Sequence, residues 1–107
     1  MSTMTKEQRL WFAGVLDATL SVKSVVTETR GKQFQTMQVK VGPVSESAIN
    51  RMIDFLGNGW IQEGQYFELR GYAACRGLFQ EVWGDICTDT RQAINKAIRV
   101  YKSKPTS

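Results

Sequence analysis

The sequence contains no histidine. That absence excludes a histidine general acid or base, an imidazole metal ligand and a serine–histidine–aspartate triad. Cysteine is almost as scarce. Cys75 and Cys87 are the only two, and no CxxC joins them. They make neither a zinc site nor a disulfide framework, and both are expected to be small packed residues. There are only two prolines, Pro43 and Pro105, so little interrupts regular structure before the tail. No apolar run approaches the ~18 residues that suggest a membrane span. Met1-Ser2-Thr3-Met4-Thr5-Lys6 does not resemble the basic and apolar regions of a secretory leader. The expected location is therefore the cytoplasm, or the nucleoid if the source is bacterial or phage. Neither a phosphate-binding P-loop nor a GxGxxG dinucleotide turn is present. Acidic residues are fewer than basic ones, 10 against 14, which leaves a net charge of +4. The excess favours an anionic partner such as nucleic acid, and it is also what a generically basic surface carries.

The 107 residues, 42% of them apolar, suit one domain with a modest core, expected over about residues 6–101 with a polar tail at 102–107. Thr5 followed by Gln8 has capping-box spacing, and Leu10, Trp11, Val15 and Leu16 continue as an apolar stripe to about Thr19 or Leu20. Ser21 to Arg30 is rich in valine and threonine, Gly31 marks a turn, and Gln33 to Val41 alternates cleanly. Gly42-Pro43 stops that strand and Ser45 caps a second helix. Its apolar repeat is Ile49, Met52, Ile53 and Leu56, and Gly57-Asn58-Gly59 ends it. Trp60–Gln62 and Tyr66–Arg70 flank a turn read as Glu63-Gly64-Gln65. A third helix is expected over Ala73–Trp83. A fourth is expected from Thr88 or Asp89 through Tyr101. The fold class is α+β, in the order α-β-β-α-β-β-α-α. A four-stranded antiparallel sheet is expected, with helices on one face and the other face open.

Strand parity assigns the side chains of the open face. Val22, Ser24 and Val26 are expected to point at the helices, leaving Lys23, Val25, Thr27 and Thr29 opposite. The second strand adds Lys32, Phe34, Thr36, Gln38 and Lys40. The second hairpin adds Gln62, Tyr66, Glu68 and Arg70. Lysine or arginine on guanine and glutamine on adenine are the usual major-groove pairings, and a two-stranded ribbon fits that groove. Too few aromatics are present for a platform on which single-stranded bases stack. Polar alternation is also what water alone selects on a half-buried sheet, so parity by itself does not separate the two origins.

The first helix carries small residues within an apolar run: Trp11-Phe12-Ala13-Gly14-Val15-Leu16-Asp17-Ala18-Thr19-Leu20. A glycine inside a helix costs about 1 kcal/mol relative to alanine, and close helix–helix approach is one compensation. Phe12 to Leu20 resembles the signature of the LAGLIDADG homing endonucleases, and the element order resembles that family's core. Leu56-Gly57-Asn58-Gly59-Trp60 and Thr90-Arg91-Gln92-Ala93 resemble further family segments.

The resemblance implies a symmetric homodimer with a single signature per chain. The signature helices would pair at the two-fold axis, here through Trp11, Phe12, Ala13, Gly14, Val15, Asp17 and Ala18, and the two sheets would form a saddle over duplex DNA. Active members bind Mg²⁺ through an acidic residue at the eighth signature position. Here that residue is Thr19, whose neutral hydroxyl is a poor Mg²⁺ ligand. Leu20 replaces the terminal glycine, and Asp17 holds the sixth position, which has a structural role in the family. Val41 stands where active members often carry a polar residue, and Asp89 where a basic one is usual, with Arg91 two residues on. These positions are degenerate, so no catalytic residue and no cofactor are expected.

The sequence is therefore read as a homodimeric, sequence-specific DNA-binding protein that has lost nuclease activity. It would serve as a transcriptional repressor or regulator derived from a mobile-element enzyme. Two other readings stand beside it. One is an active endonuclease using Mg²⁺, and the other is a protein-interaction or inhibitor module.

Overall fold

A computed structural model describes residues 4–56 and 59–102, apart from the side chain of Thr27. The tail at 103–107 and the Gly57-Asn58 part of the expected helix stop lie outside the described residues. Thr5 opens α1 (Lys6–Thr19) with the expected reciprocal box. Its hydroxyl accepts the Gln8 backbone N–H at 3.1 Å, and the Gln8 side-chain oxygen accepts the Thr5 N–H at 2.9 Å. Two orphan helix-end donors are thereby satisfied.

Strands β1 (Ser21–Thr29) and β2 (Lys32–Val41) form an antiparallel hairpin. Arg30 and Gly31 both adopt positive φ, 54° and 78°, as a two-residue loop matched to strand twist requires. Gly42 ends β2 where a side chain has no room. A Cβ there would stand 2.6 Å from the Gln65 carbonyl oxygen. Ser45 then caps α2 (Glu46–Phe55), its hydroxyl accepting the Ala48 N–H at 3.2 Å. The second hairpin, β3 (Trp60–Glu63) and β4 (Tyr66–Arg70), leads into α3 (Tyr72–Val82) and α4 (Thr88–Lys102).

Among the described residues the chain is thus a mixed α+β structure with an antiparallel sheet and four helices. The strand order is β1-β2-β4-β3, so the second hairpin joins the first through β4. Helices α1, α3 and α4 all contact β2. Met37, Val39 and Val41 of β2 lie fully buried on that side, with Phe67 and Leu69 of β4 beside them. Phe12, Leu16, Met52, Phe79, Val82 and Ile94 close the core from the helices. The Phe12 ring meets Phe55 at 5.7 Å and Trp60 at 6.0 Å, both edge to face.

Two expectations about packing are corrected, those for Ile53 and Cys87, while Val26 keeps its expected side. Ile53 is 53% exposed, because α2 turns Ile49 and Met52 into the core and leaves Ile53 on its rim. Val26 sits on the helix side, opposite Gln35, yet is half exposed near the outer end of the first hairpin. Cys75 is buried, and burial pushes its thiol up to about 11, but Cys87 is exposed rather than packed. No helix among the described residues is long and apolar enough to cross a membrane.

Phe12→Ala should cost about 3–5 kcal/mol, because it empties the junction of α1, α2 and β3. Urea unfolding of wild type and variant measures the difference.

Candidate nucleic-acid interface

The register aligns the open face in rows. Lys23 of β1 pairs with Gln38 of β2, and Gln38 pairs in turn with Arg70 of β4. The next row is Ser21, Lys40, Glu68 and Ile61, one residue from each strand. Farther out, Val25 faces Thr36, and Thr29 faces Lys32. Directly opposed residues share a face of the sheet. Lys23, Thr29, Lys32, Phe34, Lys40, Tyr66 and Arg70 are exposed, whereas Val25, Thr36 and Gln38 are half-buried. The expected position of the Thr27 side chain lies outside the described residues.

Gln62 does not belong to this face. The turn of the second hairpin is the two-residue Gly64-Gln65 loop, because Glu63 pairs with Tyr66. Gln62 therefore pairs with Phe67, whose side chain enters the core, and its amide donates to the Gly64 carbonyl at 3.2 Å. Ile61 and Glu63 take the places next to Glu68 and Tyr66. A three-residue turn would have reversed this assignment, since a shift of one residue moves every side chain of a strand to the other face.

Glu68 has the expected parity, but it is buried at 7% exposure, with Lys40 and Ile61 as its cross-strand neighbours. The Gln38 amide Nε2 and the Arg70 Nε both donate to the same oxygen, Glu68 Oε1. Lys40 lies over the Tyr66 ring, 4.6 Å from its centre. Lys40, Glu63, Tyr66 and Glu68 line a shallow depression at this end of the face. Cationic, amide and carboxylate groups thus alternate over a few ångströms. Such a surface can donate and accept hydrogen bonds at defined points rather than merely attract phosphate. Parity marked Gln38, Glu68 and Arg70 individually, but the bonds joining them required the β2–β4 pairing.

The end of α1 is organised for structure. The Thr19 hydroxyl donates to the Val15 carbonyl at 2.9 Å, the usual internal bond of a helical threonine. Val41 is fully buried in the core, while Asp89 is exposed in the first turn of α4. The Arg91 Nε donates to the Trp83 carbonyl at 2.9 Å. Among the described residues, no group of three or more cysteine and carboxylate side chains could hold a metal ion.

Asp17 reaches across to the start of α4. Its Oδ1 accepts the Cys87 N–H at 2.9 Å and the Thr90 hydroxyl at 2.7 Å. The Cys87 carbonyl accepts the Arg91 N–H, so Asp17 bonds at the α4 N-terminus, where the helix dipole favours an anion. Partial burial alone would raise the carboxyl pKa. The bonds from Cys87 and Thr90, together with the Arg91 charge, outweigh it and hold the group below the ordinary 3.8.

The expected pairing surface of α1 is narrower than its residue set. Phe12 and Ala13 are buried within the chain itself and cannot line an outer seam. Ala13 lies well around the helix from Ala18, so the small residues Ala13, Gly14 and Ala18 do not share one face, contrary to the expectation from their spacing. Trp11 packs on Phe55 and lies under the Arg51 guanidinium, 4.4 Å from its ring, and Val15 is half-buried. The outward stripe is Leu10, Gly14, Asp17 and Ala18. A Cβ added at Gly14 would meet nothing within 4 Å.

No family model matches the chain, and no curated protein is significantly similar to it.

Asp17→Ala should destabilise the protein by about 1 kcal/mol near neutral pH, the typical worth of a helix-terminal acceptor. The folded-state pKa lies below the unfolded one, so this contribution is complete above 3.8 and fades as pH falls through the folded value. Urea melts across the acid range should show wild type and variant converging at the lowest pH.

Proposed function

We propose that this protein binds double-stranded DNA in a sequence-specific manner as a symmetric homodimer, on a fold of the LAGLIDADG type without nuclease activity. The observation that carries the reading is the Lys23–Gln38–Arg70 row, which lies across three strands on the side of the sheet away from the helices. These are the side-chain types that pair with base edges in the major groove. Lys32 and Lys40 add phosphate-binding charge on the same side, and a twisted β-ribbon has the dimensions to enter the groove. The net charge of +4 agrees in sign.

Two further features support the LAGLIDADG comparison. The element order matches the expected core, and α1 leaves Gly14 and Ala18 open on its outer stripe. A two-fold pairing there would set two sheets side by side over one duplex, so the target would be palindromic or nearly so. Thr19, with its hydroxyl bound to its own helix, does not replace a carboxylate at a metal. Occupying a site without cutting it is the action of a repressor or other transcriptional regulator.

Selection from a random duplex pool, with and without Mg²⁺ or Mn²⁺, tests binding, site symmetry and cleavage together. The expected result is a symmetric site bound less tightly as salt rises and left uncut. Gln38→Ala combined with Arg70→Ala should relax the preference by about 1–3 kcal/mol at each base pair read. Unchanged binding and preference in that variant would assign the contact to another surface. Metal-dependent cutting would restore the endonuclease reading.

Gly14→Leu tests the assembly independently. The new side chain has open space within one chain, so the protomer should stay folded. Overpacking a close helix pair typically costs about 1–3 kcal/mol, and the variant should be monomeric and should bind poorly. Light scattering beside a gel-shift assay measures both. A variant that dimerises and binds like wild type would remove the two-fold arrangement.

A further inference from the structure

Glu68 is out of place on a surface that attracts phosphate. It is a carboxylate at 7% exposure, opposite Lys40 on one side and Ile61 on the other and bonded to Gln38 and Arg70, whereas Glu63, the other acid at this end of the face, is exposed. A buried acid is retained at a cost in desolvation unless its hydrogen bonds are made, and here both observed donors converge on Oε1.

The two bonds have a geometric consequence. An arginine carries five N–H donors in a rigid plane. With Nε committed to Glu68, the Nη1 and Nη2 end of Arg70 is left to point away, and that end matches the two acceptors on the guanine edge. A carboxylate accepts and cannot donate, so Gln38 must turn Nε2 and not Oε1 toward Glu68. One amide N–H and the carbonyl oxygen remain, a donor–acceptor pair that matches adenine. Without Glu68, both side chains would be free to rotate, and the amide would be free to flip.

Resting on the DNA-binding reading above, we infer that Glu68 is a positioning residue that fixes Arg70 and Gln38 for base readout while weakening attraction to phosphate. It trades general affinity for discrimination. The negative charge lowers binding to every duplex alike, and the two fixed hydrogen-bonding groups restore it only where guanine and adenine stand in the right places.

The test uses the full chain with Glu68→Ala and Glu68→Gln, each first shown by thermal melting to be folded. Fluorescence anisotropy gives the affinity for a random-sequence duplex. The site selected by wild type, and its single-base-pair variants, give the discrimination. Glu68→Ala should bind random duplex more tightly than wild type, yet lose about 5- to 150-fold of discrimination at each of the two base pairs. Glu68→Gln keeps an accepting oxygen but not the charge. It should bind random duplex more tightly while retaining more discrimination than Glu68→Ala. Glu68→Ala with wild-type discrimination, or with specific and random affinities lowered in parallel, overturns the inference. If Glu68→Ala fails to fold, Glu68→Gln decides, and unchanged random binding in it overturns the inference. A wild type that binds no duplex overturns the DNA reading itself, and the inference with it, whereas a wild type with a selected site isolates the role of Glu68.

Discussion

The packing of one side of β2 is the constraint on which most of the remaining structure depends. Met37, Val39 and Val41 are fully buried, and α1, α3 and α4 all contact that strand. Removing this apolar area from water is the main local driving force. Because a strand alternates, the same burial forces Thr36, Gln38 and Lys40 to the other side. The candidate interface is therefore the geometric complement of the core. Any register shift that moved Gln38 off the open face would also expose Val39. Stability and the arrangement of the face are enforced together.

Helix α1 connects the core to the rest of the molecule through three surfaces. Phe12, Ala13 and Leu16 enter the core. Trp11 packs under Arg51 and against Phe55 of α2. Asp17 bonds to the start of α4 through Cys87 and Thr90. That last contact joins residues 70 and 73 positions apart in sequence. It also gives the acid at this position a structural partner, because its charge meets N-terminal helix donors. What α1 leaves outside is the stripe of Leu10, Gly14 and Ala18, which the chain itself does not cover.

On the open face, charges are placed in relation to one another. Lys40 is drawn over the Tyr66 ring, and Glu68 holds Gln38 and Arg70. Each contact reduces the number of orientations a long side chain explores, and so would lower the entropy lost in binding the proposed DNA partner. The outer part of the first hairpin carries Phe34 and Lys32 and extends beyond the pairing with β4. The surface thus has an ordered inner row and a simpler basic rim.

Local signals were sufficient for the elements. The Thr5–Gln8 box, the Ser45 cap, the Gly31 turn and the alternation from Met37 to Val41 each depend on residues a few positions apart, and each is visible in sequence. The open-face parity of Lys23, Gln38, Lys40 and Arg70 followed from the same period-two rule. Gln62 escaped it because a turn of two residues rather than three decides its face, and only strand pairing fixes that length. Phe12 and Ala13 escaped for a related reason: helix periodicity shows which residues share a side, not which side meets the core. The contacts of Glu68 with Gln38, and of Asp17 with Thr90, were likewise not readable. The sequence by itself determined the order of the elements, and the two-sidedness of β1, β2 and β4, because those arise from neighbours along the chain. Tertiary structure alone decided which polar groups touch, because a hydrogen bond between distant residues requires the register and packing of the whole sheet.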